Sequence, residues 1–423
     1  MTADTSFEHA RQCFIQGNAA FEAGRLDEAE THFLASLKAL PGRPSTLANL
    51  AVTRLRLGRP GEAIEPLRTA LAAQPSDAEA WHHLGTALLE TQQHAQALQA
   101  LDRALALGLR HPAAHHRRGL ALMELERPAE AVQAWEQALS LDDKFVTVWM
   151  DLGSLMRDLG RPDQARQCLK RALALGATDA LLHFQLASLE DTGHTPESPP
   201  PAYVEQLFNS YAQGFDEHLV QRLRYCAPQV LAEGLQRLTA GRFKHALDVG
   251  CGTGLCAEPL GPLVERLDGV DLSAGMLDKA RTLGRYTELV QADVVAHLRQ
   301  TPYRHDLIVA ADVFIYVGAL EATFSCMARS LTEGGVCCFS VEACDDGSDY
   351  VLRQSLRYAH SAAYLQRLAH THGLQLVALE THPLRHDERE PVKGLYAWMR
   401  KTGPSTGQYA PGNPRRRSAG SGR

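Results

Sequence analysis

The sequence predicts two unlike halves, an all-α solenoid of repeated helical hairpins followed by an α/β domain on a mostly parallel sheet. Three observations carry this. Gly17, Ala51, Gly85, Gly119 and Gly153 recur every 34 residues. Asp191–Ala202 holds four prolines in twelve residues, a break between two kinds of pattern. From His245 the chain reads as strand, glycine-rich turn, helix and second strand, the order of a βαβ unit.

The repeats come first. Twelve residues after each small residue stands an alanine: Ala29, Ala63, Ala97, Ala131 and Ala165. Ser36, Ala70, Ala104, Ala138 and Ala172 follow, and between them lie Phe33, Leu67, Leu101, Trp135 and Leu169. Two antiparallel helices cross closely only where the crossing residues are small, and a large apolar neighbour fills the gap beside them. Gly24-Arg25, Gly58-Arg59-Pro60 and Gly160-Arg161-Pro162 mark the turns inside units, and Pro41 and Pro75 the turns between units. Leu109 and Asp143 replace proline at the next two such turns. Ala180–Glu190 reads as a sixth first helix that caps the array.

This pattern resembles the tetratricopeptide repeat. The resemblance implies that first helices line a concave groove, here with Phe14, Asn18, Phe21, His82, Thr86, His116 and Met150 among its positions. Asn18 and Asn49 fit the family members that grip peptide carboxylates. Phe14, Glu79 and His83 stand where such members need basic residues, so a carboxylate-tail function does not carry over. The expectation is a protein or peptide partner in the groove, weighed against packing on the chain's own second half or on a sister copy.

In the second half, the strand ending at Asp248-Val249 runs into Gly250, Gly252 and Gly254, which let the backbone turn and approach a ligand closely. The following helix offers free N–H groups. The second strand ends at Asp271, 21 residues after Gly250, where an acid can accept ribose hydroxyls. The glycine spacing is GxGxG, not GxGxxG, so the dinucleotide fingerprint is imperfect. Asp248 would repel phosphate and suit an ammonium. A third strand ends in Asp293, placed to receive an adenine amino group. Ribose, adenine, an amino group and no phosphate describe S-adenosylmethionine. DLIVAADVF is a fourth strand, Leu320–Leu331 a helix, LTEGGVCCFSVE a turn and fifth strand, and Ala362–His372 a helix. LQLVALETH and KGLYAWMRK then form an antiparallel pair, because Pro383–Val392 is too short for a helical crossover.

Seven strands ending in an antiparallel hairpin resemble the class I S-adenosylmethionine-dependent methyltransferase fold, which is Rossmann-like. YVEQLFNSYAQGFDEHLV, GVDLSAGMLDKA and DLIVAADVFIYVG together resemble bacterial predicted methyltransferases that carry tetratricopeptide repeats ahead of the catalytic domain. The boundaries expected are 1–190 for the solenoid, 191–202 for the linker, 203–400 for the methyltransferase domain and 401–423 for a disordered basic tail. The resemblance implies that Asp248, Gly250, Cys251, Gly252 and Gly254 hold the methionine part of the cofactor. Asp271 then takes the ribose, Leu272 and Met276 flank the adenine, Asp293 and Val294 receive its amine, and Ala311 lies near the transferring methyl. No catalytic base is fixed by a motif. Asp312, Tyr211, Glu342 and His360 are candidates, with His218 and Tyr316 also in view. Tyr211 equally joins Leu207, Phe215 and Leu219 in a helical apolar stripe. Asp312-Val313-Phe314-Ile315 disfavours the enzymes that methylate amide or adenine nitrogen behind an Asn/Asp-Pro-Pro-Tyr motif.

The expected function is therefore methyl transfer to an unidentified acceptor, the repeats recruiting a protein partner or substrate. The alternatives are a small-molecule methyltransferase whose repeats serve assembly, a scaffold that only binds the cofactor, and a nicotinamide oxidoreductase. A net charge of −6 argues against a nucleic-acid binder. No apolar run reaches the length of a membrane span, and no secretory signal is evident. Nine cysteines without a CxxC pair suit free thiols in a reducing cytoplasm and no zinc site.

Overall fold

The computed structural model describes residues 3–190, 195–211, 225–301, 304–387 and 390–402. The chain divides into two compact units, Met1–Leu182 and His183–Arg423.

The first unit is a run of helical hairpins. They pair α1 (Ala3–Glu22) with α2 (Leu26–Ala39), α3 (Pro44–Arg56) with α4 (Pro60–Ala73), and α5 (Ala78–Glu90) with α6 (His94–Ala106). α7 (Pro112–Glu124) then pairs with α8 (Pro128–Leu141), and α9 (Val146–Asp158) with α10 (Pro162–Ala174). Proline opens α3, α4, α7, α8 and α10, where its missing N–H costs nothing. The small-residue pattern has the steric cause expected. A Cβ on Gly17 would lie 2.6 Å from Phe33, one on Gly85 2.6 Å from Leu101, and one on Gly153 2.7 Å from Leu169. At Gly119 it would meet the Trp135 indole at 2.1 Å. Asn49 donates its side-chain amide to the Asn18 oxygen at 2.8 Å, so those two residues bind each other. The division between the units falls inside α11 (Ala180–Ala187).

The second unit begins with α12 (Pro201–Tyr211) and α13 (Ala227–Leu238). There follow β1 (Ala246–Val249), α14 (Ala257–Leu260), β2 (Leu267–Asp271), α15 (Ala274–Thr282), β3 (Glu288–Gln291), α16 (Val294–Gln300) and β4 (His305–Ala310). Then come α17 (Glu321–Ser330), β5 (Leu331–Ala343), β6 (Tyr350–Leu352), β7 (Tyr358–His360), α18 (Ala362–Thr371), β8 (Leu374–Asp387) and β9 (Glu390–Lys401). The strands form one sheet in the order β3-β2-β1-β4-β5-β7-β6, with β9 between β5 and β8. The run from β3 to β5 is parallel, and β9 is antiparallel to both β5 and β8.

Among the described residues nine strands stand where seven were expected, because the chain turns back through β6 and β7 before α18. Each is three residues long, too short to show a period in the sequence.

Strand alternation builds two cores. Leu247, Val249, Ile308, Cys337 and Phe339 pack on one face, and Leu307, Val309, Val336, Cys338 and Trp398 on the other. Cys337 and Cys338 thus face opposite ways, as their adjacency requires. Strand order reverses at β1, whose neighbours are β2 on one side and β4 on the other. In such sheets a crevice opens at the carboxyl ends of the strands at that point.

Candidate functional site

A cavity of about 560 Å³ lies there. Gly250, Cys251 and Gly252 after β1, Asp271 and Leu272 at the end of β2, and Asp293 and Val294 after β3 line one part. Ala311 and Asp312 after β4 line the next, with Tyr225, Tyr316, Arg357 and Arg385. Val204, Leu207 and Phe208 of α12 contribute an apolar wall, and Ser198, Pro199 and Pro201 of the proline-rich stretch lie beside them.

The turn after β1 is held from the second strand. Gly250 and Gly252 have φ of 62° and 54°, a region that favours glycine. A Cβ at Gly250 would meet Val313 at 2.6 Å, whereas a Cβ at Gly252 would meet nothing within 4 Å. The Gly252 N–H donates to Asp271 Oδ2 at 2.9 Å, and the Ser273 N–H donates to Asp271 Oδ1 at 2.8 Å. The Leu272 N–H also bonds this carboxylate, which keeps acceptor capacity for a ligand because two oxygens offer about four lone-pair sites. Burial raises the Asp271 carboxyl pKa, and the backbone N–H groups pull it back. Asp271 does not cap the next helix, since the Ser273 hydroxyl does so by accepting from the Met276 N–H at 3.2 Å. Asp293 is both a cap and a wall. It accepts from the Ala296 N–H at 2.8 Å through Oδ1 and lines the cavity.

Three expected cofactor residues are not among those lining the cavity. Met276 is fully buried in α15, and Gly254 backs onto Leu283 and Tyr286. Asp248 is 1 % exposed, and its Oδ2 accepts the Tyr286 hydroxyl at 2.6 Å. Burial pushes its pKa up to about 7, against the pull of the Tyr286 hydrogen bond. Cys251 and Cys256 are buried, which raises both thiols well above the usual range, so they stay protonated at neutral pH.

The candidate bases separate. Asp312 sits in the left-handed region at φ 60°, its N–H donating to Ser340 Oγ at 2.8 Å. Its Oδ2 accepts from Arg385 at 3.1 Å, while Oδ1 is buried without a hydrogen-bond partner among the described residues. Glu342 is 2 % exposed and is held by Arg385 and, at 3.5 Å, by Arg353, so it stands behind the cavity wall. His360 is fully buried, with Nε2 shared between the carbonyls of Val317 and Gly318 at 2.9 and 3.0 Å. Burial lowers its pKa to about 4. It ties a loop and does not line the cavity. Tyr211 ends α12, but its side chain and all of His218, Phe215 and Leu219 lie outside the described residues.

Arg357, Arg385 and Tyr225 were not anticipated: they stand outside every motif, and only the fold brings them to the cavity. Tyr286 opens the third-strand segment, and its bond to Asp248 was not foreseen.

Comparison with known proteins gives the class. Residues 247–339 match the family described as Methyltransferase domain, and residues 10–35, 49–114 and 116–182 match Tetratricopeptide repeat families. The trans-aconitate 2-methyltransferase of Paracidovorax citrulli is 35 % identical over 106 residues, which cover 25 % of this chain and 41 % of that one. The ubiquinone biosynthesis O-methyltransferase of Azoarcus sp. is 29 % identical over 178 residues, 38 % of this chain and 74 % of that one. Among solved structures, the N-methyltransferase NodS from Bradyrhizobium japonicum, in complex with S-adenosyl-L-homocysteine, has a TM-score of 0.38. It is 20 % identical, with 47 % of this chain and 97 % of that one covered.

The chain thus carries segments that match tetratricopeptide repeats ahead of a segment that matches a methyltransferase domain. Among the described residues, no helix is long and apolar enough to cross a membrane, and no group of three His, Cys, Asp or Glu is arranged to hold a metal ion.

Proposed function

We propose that the second unit binds S-adenosylmethionine in the β1–β3 part of the cavity and methylates a small acceptor taken into the β4 part. One observation carries this: Asp271 and Asp293, each with acceptor capacity to spare, flank a side-chain-free backbone turn at Gly250 and Gly252. Asp271 takes the ribose hydroxyls and Asp293 the adenine amine, with Leu272 and Val294 against the ring. The backbone of Gly250, Cys251 and Gly252 lies along the methionine part. The GxGxG spacing of Gly250, Gly252 and Gly254 departs from the GxGxxG of a pyrophosphate turn, which disfavours a dinucleotide.

When bound, the cofactor supplies an electrophilic methyl group whose leaving group is a neutral thioether. The chain's own work is then alignment, which can lower a barrier by roughly 7–11 kcal/mol. Asp312 Oδ1, buried and unpartnered among the described residues, is placed to accept the proton of an acceptor hydroxyl. The wall of Val204, Leu207 and Phe208 keeps water from that end and favours a small acceptor over a protein side chain. The curated relatives are named for trans-aconitate and for ubiquinone biosynthesis, also small molecules. The repeat array serves as a docking platform for a protein partner along its first-helix face, and the protein works in the cytoplasm.

Calorimetry with S-adenosylmethionine, S-adenosylhomocysteine and NAD tests the reading. The first two should bind and NAD should not, and Asp271→Ala with Asp293→Ala should weaken binding at least tenfold. Preferential NAD binding, or an unchanged affinity in the double variant, would sink it.

A further inference from the structure

We infer that Arg357 is the seat for an anionic group on the acceptor, so that the acceptor is a small planar acid bearing a carboxylate or a phosphate. This rests on the methyl-transfer reading and goes beyond it by naming the acceptor's chemistry.

The argument begins with charge. Arg385 is 3 % exposed and bridges two carboxylates, Asp312 and Glu342. Glu342 has a second guanidinium, Arg353, reaching it from the more exposed side at 3.5 Å. Among the described residues Arg357 has no ion-pair partner; the Tyr316 hydroxyl faces it, and Asp312 and Glu342 act on its charge from beyond ion-pair distance. Among the described residues three guanidiniums share two carboxylates on this wall, and Arg357 is the one of the three that lines the cavity without an ion-pair partner. Burying a cation costs free energy unless an anion meets it. The Tyr316 hydroxyl satisfies a donor but not the charge. A guanidinium presents planar paired donors that match a carboxylate or phosphate.

Shape supplies the second argument. Phe208 packs edge-on against Tyr316 with ring centroids 5.0 Å apart, and Tyr225 lines the same part of the cavity. Aromatic walls beside a fork of donors suit a flat ligand with an anionic end. Asp312 Oδ1 is an acceptor and would repel an anion, so the two polar groups read opposite features of one molecule. The acid goes to Arg357 and the hydroxyl to Asp312.

Titration of the full chain saturated with S-adenosylhomocysteine tests this, using benzoate, fumarate and phenyl phosphate against benzamide, fumaramide and phenol. At least one acid should bind ten times tighter than its neutral partner, and the winning acid tells carboxylate from phosphate. Arg357→Gln should erase that preference, Arg357→Lys should restore most of it, and both variants should hold S-adenosylhomocysteine within about twofold of the wild type. The proposal is overturned if no acid is preferred, or if the preference survives in Arg357→Gln, as it would were Arg357 there only to balance the buried acids. Failure of S-adenosylhomocysteine to bind the wild type, read before any acid is added, overturns the methyl-transfer reading beneath it.

Discussion

At the scale of single residues, Asp248 shows how one carboxyl changes meaning once its surroundings are known. In the sequence it was the acid for the cofactor's ammonium. In the structure it is walled in, bonded to Tyr286 and off the cavity lining. Its folded pKa of about 7 lies above the ordinary 3.8, so the folded state holds a proton that the unfolded chain releases. Stability from this group is therefore full below about pH 4 and is lost as pH rises through about 7. The loss approaches about 4 kcal/mol. His82, His305 and His360, with pKa values lowered to about 3, 4 and 4, act in the opposite sense. A comparison of wild type with Asp248→Asn cancels them, and the asparagine still offers Tyr286 an oxygen. Urea unfolding at pH 5 and pH 8 should show the wild type losing roughly 3 kcal/mol more than the variant between the two. Equal losses would mean that Asp248 is ionised in the folded state at both.

At the scale of elements, the hairpins test the claim that size at the crossing sets the repeat. Gly119→Ala in α7 would drive a methyl into Trp135, which is 3 % exposed and held by its N–H to the His116 carbonyl at 3.1 Å. Overpacking of this kind costs about 1–3 kcal/mol. Gly61→Ala in α4 meets only Thr91 at 4.0 Å and gains helix propensity, so it should be neutral or stabilising by up to about 1 kcal/mol. Thermal melts should show Gly119→Ala lowered and Gly61→Ala unchanged or raised, and a fall in both would refute the steric account. The same contrast explains what the sequence disclosed. A crossing glycine and its filler stand 16 residues apart, as Gly119 and Trp135 do, and such local sterics repeat visibly. Asp271 and Asp293 were legible as cavity-lining residues because one ends β2 and the other follows β3, each at a strand-to-helix turn. Arg357 and Arg385 were not, because they are far apart in sequence, sit at the short β7 and the long β8, and meet only through sheet pairing.

At the scale of the whole molecule, the cavity belongs to one unit. Its lining residues run from Ser198 to Arg385, all within His183–Arg423. The stretch before α12 belongs to it too, since the Glu197 carbonyl accepts the N–H groups of Gly318 and Ala319 at 2.9 and 3.0 Å. Phe184 packs on Tyr203 and Tyr358 with ring centroids 6.1 Å away in both cases. A cut at the prolines would therefore remove part of the wall, whereas a chain starting at Ala177 keeps α11 and Asp179, which accepts the Leu181 N–H at 2.7 Å. That shortened chain should bind S-adenosylhomocysteine within about twofold of the full one. With labelled S-adenosylmethionine in cell extract, both chains should give the same labelled small product, because the acceptor is selected inside the cavity. Capture of a protein partner should be confined to the full chain. Labelled protein that appears only with the repeats present would show instead that the array delivers the substrate, and would move acceptor choice from Arg357 and Asp312 to the solenoid.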